Sequence, residues 1–297
     1  MNVYDDAVSG PLVNTNQLAT ALHSRRPPVV LDVRWSLTGL VGREAYDVGH
    51  VPGAIFVDLD RQLCGPPGTA GRHPLPDPAA LEQVLRQAGI HHDDWVVIYD
   101  AGDGAAAARA WWTLRWAGLT SVSVLDGGYA AWVASGGDVT QQVPSPEPGD
   151  VTVRPGGMPV LDAADAAALA GSGILLDART PQRYSGQMEP IDPVAGHIPG
   201  AVNLPMGELV DADGRLLPAD QLRECFARVG VREGTRVGAY CGSGVTAAHT
   251  VLASVAAGLE PAALYVGSWS EWVADPRRPI ATGSGEQTTE TSSQEDS

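Results

Sequence analysis

Cys241 stands in the run Tyr240-Cys241-Gly242-Ser243-Gly244-Val245-Thr246, between the apolar stretch "TRVGAY" and the alanine-rich stretch "TAAHTVLASVAAG". The first reads as a buried strand and the second as a helix stopped by Gly258, so the thiol falls at a strand-to-helix crossover. Gly242 and Gly244 allow successive backbone N–H groups to turn inward around the sulfur, and the N-terminus of the following helix adds its positive end. Both effects stabilise a thiolate and an anion beside it, which is the chemistry of a nucleophilic cysteine. Cys64, in the loop "QLCGPPG", and Cys225, on the amphipathic stretch "QLRECFARVG", have no such setting. Cys225 reads as packing.

The elements that carry this loop belong to a chain of 297 residues, long enough for two domains with cores of ordinary size. The formal net charge of −16 argues against nucleic acid or an anionic membrane surface as the main partner, but not against a small anionic substrate. All 19 basic residues are Arg. Without Lys there is no Schiff-base chemistry, no Walker A lysine and no pyridoxal-phosphate anchor. Three cysteines cannot build a disulfide framework, and none is paired at metal-ligand spacing. The N-terminus "MNVYDDAVSG" lacks a basic n-region and an apolar h-region, and the apolar runs are strand-sized, so neither a signal peptide nor a membrane span is expected. A reducing cytoplasm is the expected location.

Self-comparison exposes a tandem duplication. "VVLDVRW" (29–35) recurs as "ILLDART" (174–180), "VGHVPGAIFVDL" (48–59) as "AGHIPGAVNLPM" (195–206), and "LDGGYAAW" (125–132) as "YVGSWSEW" (265–272). Each copy alternates short apolar strands with amphipathic helices, which predicts an α/β fold with a mostly parallel sheet covered by helices on both faces. The expected division is an N-terminal domain over 1–142, a Pro/Gly-rich linker over 143–158, a C-terminal domain over 159–282 and a disordered acidic tail over 283–297. Where the second copy reads "YCGSGVT" the first reads "YDAGDGA", setting Asp100 opposite Cys241. An active copy beside a supporting one places the expected site in the cleft between them.

The run "CGSGVTA", the paired "GH[VI]PGA" motifs, "DGGYAAW" and "GSWSEW" resemble the two-domain rhodanese-type sulfurtransferases over roughly residues 10–282. Within that family the C-G-S-G-V-T loop is closest to the 3-mercaptopyruvate sulfurtransferases, whereas thiosulfate-preferring members carry C-R-K-G-V-T. Two cations in the loop would suit dianionic thiosulfate; Gly242 and Ser243 offer none, which suits a donor bearing one carboxylate. The same fold class holds phosphatases with a C-x5-R loop, but Ala247 stands where that reaction needs its arginine.

The resemblance implies tandem rhodanese-like domains and a double displacement that needs no cofactor and no metal. Sulfur passes from 3-mercaptopyruvate to a Cys241 persulfide with release of pyruvate, then to thioredoxin, glutathione or cyanide. Thiosulfate sulfurtransfer and a non-enzymatic persulfide carrier are the alternatives. It further implies Arg183, in "DARTPQRYSG", as the substrate-carboxylate arginine, with Gly242, Gly244, Val245, Thr246 and Trp35 lining the donor site. Asp60, His73 and Ser243 match a relay that would protonate the departing enolate; alone, His73 reads as a surface loop histidine and Asp60 as a turn residue. Where the family carries a second substrate arginine shortly after the first, this chain has Asp192, with Arg72 and Arg109 as candidates to fill the gap. Arg109 matches a position read as structural. Arg179, Asp177, His50 and His197 read as structural too, and His91 and His92 as solvated.

Overall fold

Two five-stranded sheets, one in each copy, organise the chain in a computed structural model that describes residues 10–36 and 42–283. In the first copy β1 (Leu12–Val13), β2 (Val29–Asp32), β3 (Ile55–Phe56), β4 (Val96–Tyr99) and β5 (Val122–Leu125) lie in the order β1-β5-β4-β2-β3. In the second, β6 (Val160–Leu161), β7 (Ile174–Asp177), β8 (Val202–Asn203), β9 (Val237–Tyr240) and β10 (Ala263–Tyr265) lie in the order β6-β10-β9-β7-β8. Every pairing between these strands is parallel. The central strands, such as β4 with its sequence VVIY, are buried along their length because helices cover both sides of the sheet.

The first copy's helices are α1 (Thr15–Leu22), α2 (Gly42–Val48), α3 (Leu59–Gln62), α4 (Pro78–Gln87), α5 (Ala105–Trp116) and α6 (Gly128–Ala134). The second copy's are α7 (Ala163–Ser172), α8 (Pro181–Tyr184), α9 (Ala219–Arg228), α10 (Val245–Ala256) and α11 (Ser268–Trp272). Alternation along the strands separates the cores. In β4, Val97 and Tyr99 enter a cluster private to the first copy with Trp132 and Leu18, and Tyr240 at the end of β9 enters a second private cluster with Trp269 and Trp272. Val96, Ile98 and Ala239 face the other way, into one apolar cluster that runs from the first copy into the second.

At the centre of this shared core α5 packs on α10. Ala105–Ala108 on one side and Ala247, Ala248 and Ala253 on the other are buried, and side chains this small let the two helices approach closely. Burial of that kind fixes the two domains as one unit and sets the first turns of both helices near the boundary. Residues 141–159 carry neither helix nor strand. They are nonetheless strapped to the first copy, Gly149 N–H donating to Arg86 O at 2.8 Å and Arg154 N–H to Ala117 O at 2.7 Å, with Val151 buried. Beyond Gly283, the expected acidic tail lies outside the described residues. Among the described residues no helix is long and apolar enough to cross a membrane.

Candidate active site

The crossover expected from the sequence is present: β9 ends at Tyr240, and α10 starts at Val245 after Gly244. Gly244 has φ 79°, and a β-carbon there would lie 2.6 Å from Val266 O and 2.7 Å from Arg109 Nη1, so both conformation and space demand glycine. Its N–H donates to Cys241 Sγ at 3.2 Å, and Cys241 is only 2% exposed. Val245, buried, and Thr246, half-buried, occupy the first turn, where helix N–H groups have no partner within the helix.

The "GSWSEW" motif grips this loop from outside. Trp269 N–H donates to Cys241 O and Ser270 N–H to Gly242 O, both at 2.9 Å. Ser268 has φ 53°, a left-handed conformation that costs a non-glycine residue about 1–2 kcal/mol. Its hydroxyl accepts the Cys241 N–H at 3.2 Å and donates to Tyr265 O at 2.8 Å, tying the cysteine to the end of β10.

The first copy supplies the opposite wall. Gly71, φ 102°, sits where a β-carbon would lie 2.7 Å from Gly267 O, and Arg72 N–H donates to Ser270 Oγ at 3.1 Å. The next residue, His73, pairs through Nε2 with Asp60 Oδ1 at 3.0 Å, and its carbonyl accepts from Arg109 Nη2 at 2.7 Å. Trp35 meets the His73 ring edge-on, 5.6 Å between centroids. His73 Nδ1 is buried and unpartnered among the described residues. Burial pushes the imidazole below its ordinary pKa; Asp60 opposes this, while the cations Arg109 and Arg72 reinforce it. The resting ring is therefore neutral at pH 7 and able to take a proton. Ser243 is buried in the cysteine loop, but its hydroxyl makes no hydrogen bond to His73 among the described residues. Two of the three residues expected to form a relay, Asp60 and His73, are thus paired, and Ser243 lies in the cysteine loop.

Arg183, at the end of α8, donates from Nε to Glu189 Oε2 at 3.0 Å and from Nη2 to Glu189 Oε1 at 2.6 Å. Nη2 also reaches Asp192 Oδ2 at 3.2 Å, and Asp192 Oδ1 receives Arg72 Nη1. Burial pushes the Glu189 carboxyl up, but the Arg183 guanidinium and the Asp192 and Ile191 N–H groups outweigh it and hold it below the usual range. A β-carbon on Gly242 would lie 2.8 Å from Arg72 Nη2 and 3.3 Å from Arg183 Nη2, so both guanidinia stand over the residue after Cys241. Of the two candidates for a second cation, Arg72 reaches this position, whereas Arg109 is fully buried behind Gly244.

Arg179 donates from Nη2 to Asp177 Oδ2 at 2.6 Å and to Gly196 O at 2.7 Å, a buried structural pair whose loss of one partner would cost about 3–5 kcal/mol. His197 stacks on Tyr184 and His50 on Tyr46, each with a ring nitrogen on the carbonyl of its stacking partner. His91 and His92 are exposed. All three cysteines carry free thiols; Cys225 packs in the core, and burial raises the Cys64 pKa, with Arg109 opposing it. Among the described residues no cluster of three or more His, Cys, Asp or Glu could hold a metal ion. Ser268, Ser270 and Glu189 escaped the sequence reading. The repeated motif marked the place of the two serines, and Gly128 at the position matching Ser268 was the available signal of its glycine-like conformation.

Fold and site together define a duplicated α/β protein whose Cys241 loop is walled by residues of the copy that carries Asp100 at the matching position. The family model for the rhodanese-like domain matches residues 15–135 and 162–275, and the chain belongs to the rhodanese family. It is 48% identical over 282 residues, 93% of this chain and 99% of the relative, to a Pseudomonas aeruginosa protein named, provisionally, a 3-mercaptopyruvate sulfurtransferase. It is 45% identical over 278 residues, 92% and 97% of the two chains, to a Mycobacterium tuberculosis protein named, also provisionally, a thiosulfate sulfurtransferase. Among solved structures it is similar to SseA from Escherichia coli, described as a 3-mercaptopyruvate sulfotransferase of rhodanese fold, with TM-score 0.76 and 30% identity over 88% of this chain and 100% of that one.

Proposed function

We propose that this protein is a 3-mercaptopyruvate sulfurtransferase working through a persulfide on Cys241. The observation that carries this reading is an uncharged cysteine loop, Gly242-Ser243-Gly244, with the Arg183 guanidinium at its lip. A single carboxylate can meet the free Arg183 Nη1 there, Nε and Nη2 being held by Glu189, and the reacting sulfur can reach a thiolate held by the Gly244 N–H.

In the first half-reaction the Cys241 thiolate attacks the donor sulfur, a sulfur–sulfur bond forms, and the carbon–sulfur bond breaks with its electron pair left on carbon as an enolate. The donor's thiol proton must reach that carbon to give pyruvate. His73, neutral at rest and braced by Asp60, takes and returns this proton, with the Ser243 hydroxyl as the step between. The second half-reaction passes the outer sulfur of the persulfide to a thiol, giving a new persulfide, or to cyanide, giving thiocyanate, and regenerates the Cys241 thiolate. Trp35, Val245 and Thr246 line the donor site. A nucleophilic thiol and three free cysteines suit a reducing compartment such as the cytoplasm, with thioredoxin or glutathione as acceptor.

Thiosulfate sulfurtransfer is the second reading, favoured by the name of the Mycobacterium tuberculosis relative and by a second guanidinium, Arg72, above the loop. Steady-state turnover with each donor and cyanide as acceptor separates the readings. We expect a higher kcat/KM for mercaptopyruvate. A higher value for thiosulfate would install the second reading, and no unaided turnover of either donor would leave a sulfur carrier charged by a partner.

A further inference from the structure

Two guanidinia from different domains converge on the residue after the nucleophile, and a carboxylate ties them together. Arg72 comes from the first copy's loop and Arg183 from α8 of the second; Asp192 accepts from Arg72 Nη1 on Oδ1 and from Arg183 Nη2 on Oδ2. The Asp192 and Glu189 side chains are each only 3% exposed, whereas Arg72 is 27% exposed, so the carboxylates lie beneath and the guanidinia nearer to solvent. On Arg72 the nitrogen that the carboxylates leave free, Nη2, faces the loop; on Arg183 both the free Nη1 and Nη2, which Glu189 and Asp192 engage, face it. Arg72 Nη2 would lie 2.8 Å and Arg183 Nη1 3.5 Å from a β-carbon on Gly242, and Arg72 Nε is buried with no partner. Donors left open in this way, on rigidly braced guanidiniums beside a nucleophile, are what an anion-binding subsite requires.

The charges bear on which anion. Arg72 and Arg183 are balanced by Glu189 and Asp192, and the adjacent Arg179 is balanced by Asp177, so the group is formally neutral despite its three cations. A neutral group offers hydrogen bonds to one carboxylate without the surplus field that would draw a dianion, because Coulomb attraction grows with the product of the charges.

Building on the reading of Cys241 as the sulfur acceptor, we propose that Arg72 is a second donor-binding guanidinium delivered across the domain boundary. Asp192, by neutralising the Arg72–Arg183 pair, sets the site's preference for a monoanionic over a dianionic donor. Asp192 is a positioning residue that acts through the two arginines; Arg72 touches the donor.

The test compares alkylation of Cys241 by iodoacetate, which carries a carboxylate, with alkylation by neutral iodoacetamide, each followed by mass analysis of the Cys241 peptide. Both reagents report the same thiolate, so their rate ratio isolates attraction of the carboxylate and cancels changes in thiol exposure or ionisation. Arg72→Gln should lower the ratio about tenfold, with Arg72→Lys recovering part of it, and Asp192→Asn should raise it. In turnover, Asp192→Asn should raise kcat/KM for thiosulfate relative to mercaptopyruvate by about tenfold, since an added unit of charge attracts a dianion about twice as strongly as a monoanion. An alkylation ratio unchanged from the wild type in either variant overturns the proposal. The alkylation result does not depend on the natural donor, so a wild-type enzyme that prefers thiosulfate would defeat the functional reading while leaving this ratio to judge Arg72 and Asp192.

Discussion

The Asp100 loop and the Cys241 loop are the same structure put to different ends. Each follows the central strand of its sheet and leads through a left-handed glycine, Gly104 at φ 77° or Gly244 at φ 79°, into the helix at the domain boundary. Each is gripped by the same backbone bonds: Tyr129 and Ala130 N–H groups donate to Asp100 O and Ala101 O, as Trp269 and Ser270 do to Cys241 O and Gly242 O. Even the strained position recurs, Gly128 at φ 56° matching Ser268 at φ 53°. What differs is the occupant of the nest. The Asp100 carboxylate accepts N–H groups from Gly102 at 2.9 Å, Gly104 at 3.2 Å and Ala107 at 3.0 Å, and so fills the anion site with the protein's own charge. In the second copy, among the described residues, only the Gly244 N–H donates to the Cys241 sulfur, and no carboxylate of the loop fills the nest. A nest that binds its own carboxylate is closed to an incoming anion; the same nest around a thiol is free to do chemistry.

The largest expected effect tests whether the cysteine copy can work without its neighbour. His73→Ala and Ser243→Ala should lower mercaptopyruvate turnover by about 10² to 10⁴, the usual loss of an acid/base group, while sparing thiosulfate turnover, which releases sulfite and leaves no carbanion to protonate. The double variant should lose little more than either single one, because the residues act as a unit. Mercaptopyruvate turnover should also fall as pH drops through the His73 pKa, which burial holds below its ordinary value. Equal losses with both donors in folded protein would mean that His73 and Ser243 only shape the cleft.

The smallest expected effect tests the structural role of the other loop. Burial, with Asp103 nearby and three N–H donors opposing, raises the Asp100 pKa from 3.8 to about 6. The folded state therefore binds more protons than the unfolded one between these values, so wild-type stability falls as pH rises through that window, by up to about 3 kcal/mol from this group. Asp100→Asn removes the titration. Its melting temperature relative to wild type should climb from pH 4 to pH 7, while turnover of either donor stays within about twofold of the wild type. A pH-independent difference would remove the ionised carboxylate from the account.

Much of this comparison was legible in the sequence, and the reason is local. The duplicated motifs, the strand-glycine-helix crossover at Cys241 and the aspartate at the matching place are short contiguous patterns whose backbone consequences follow from residue type. Arg183 and the His73–Asp60 pair were marked through the family resemblance; taken alone, His73 reads as a surface loop histidine and Asp60 as a turn residue. The parts that escaped depend on contacts between distant segments. Gly71 reads as any loop glycine until Gly267 O is found against it, and Asp192 reads as a missing arginine until Arg72, 120 residues earlier, is found on its carboxylate. Ser268 escaped for a different reason: its side chain is disfavoured in its backbone conformation, and the bonds its hydroxyl makes to the Cys241 N–H and Tyr265 O come from the fold.

The central claim, that the copies divide into one sulfur-bearing loop and one self-filled loop, is tested most directly by intact-mass analysis after brief treatment with mercaptopyruvate and removal of the donor. One added sulfur is expected on the wild type and on a Cys64→Ser, Cys225→Ser double variant, and none on Cys241→Ser. A sulfur adduct retained by Cys241→Ser, or lost from the double variant, would contradict the account.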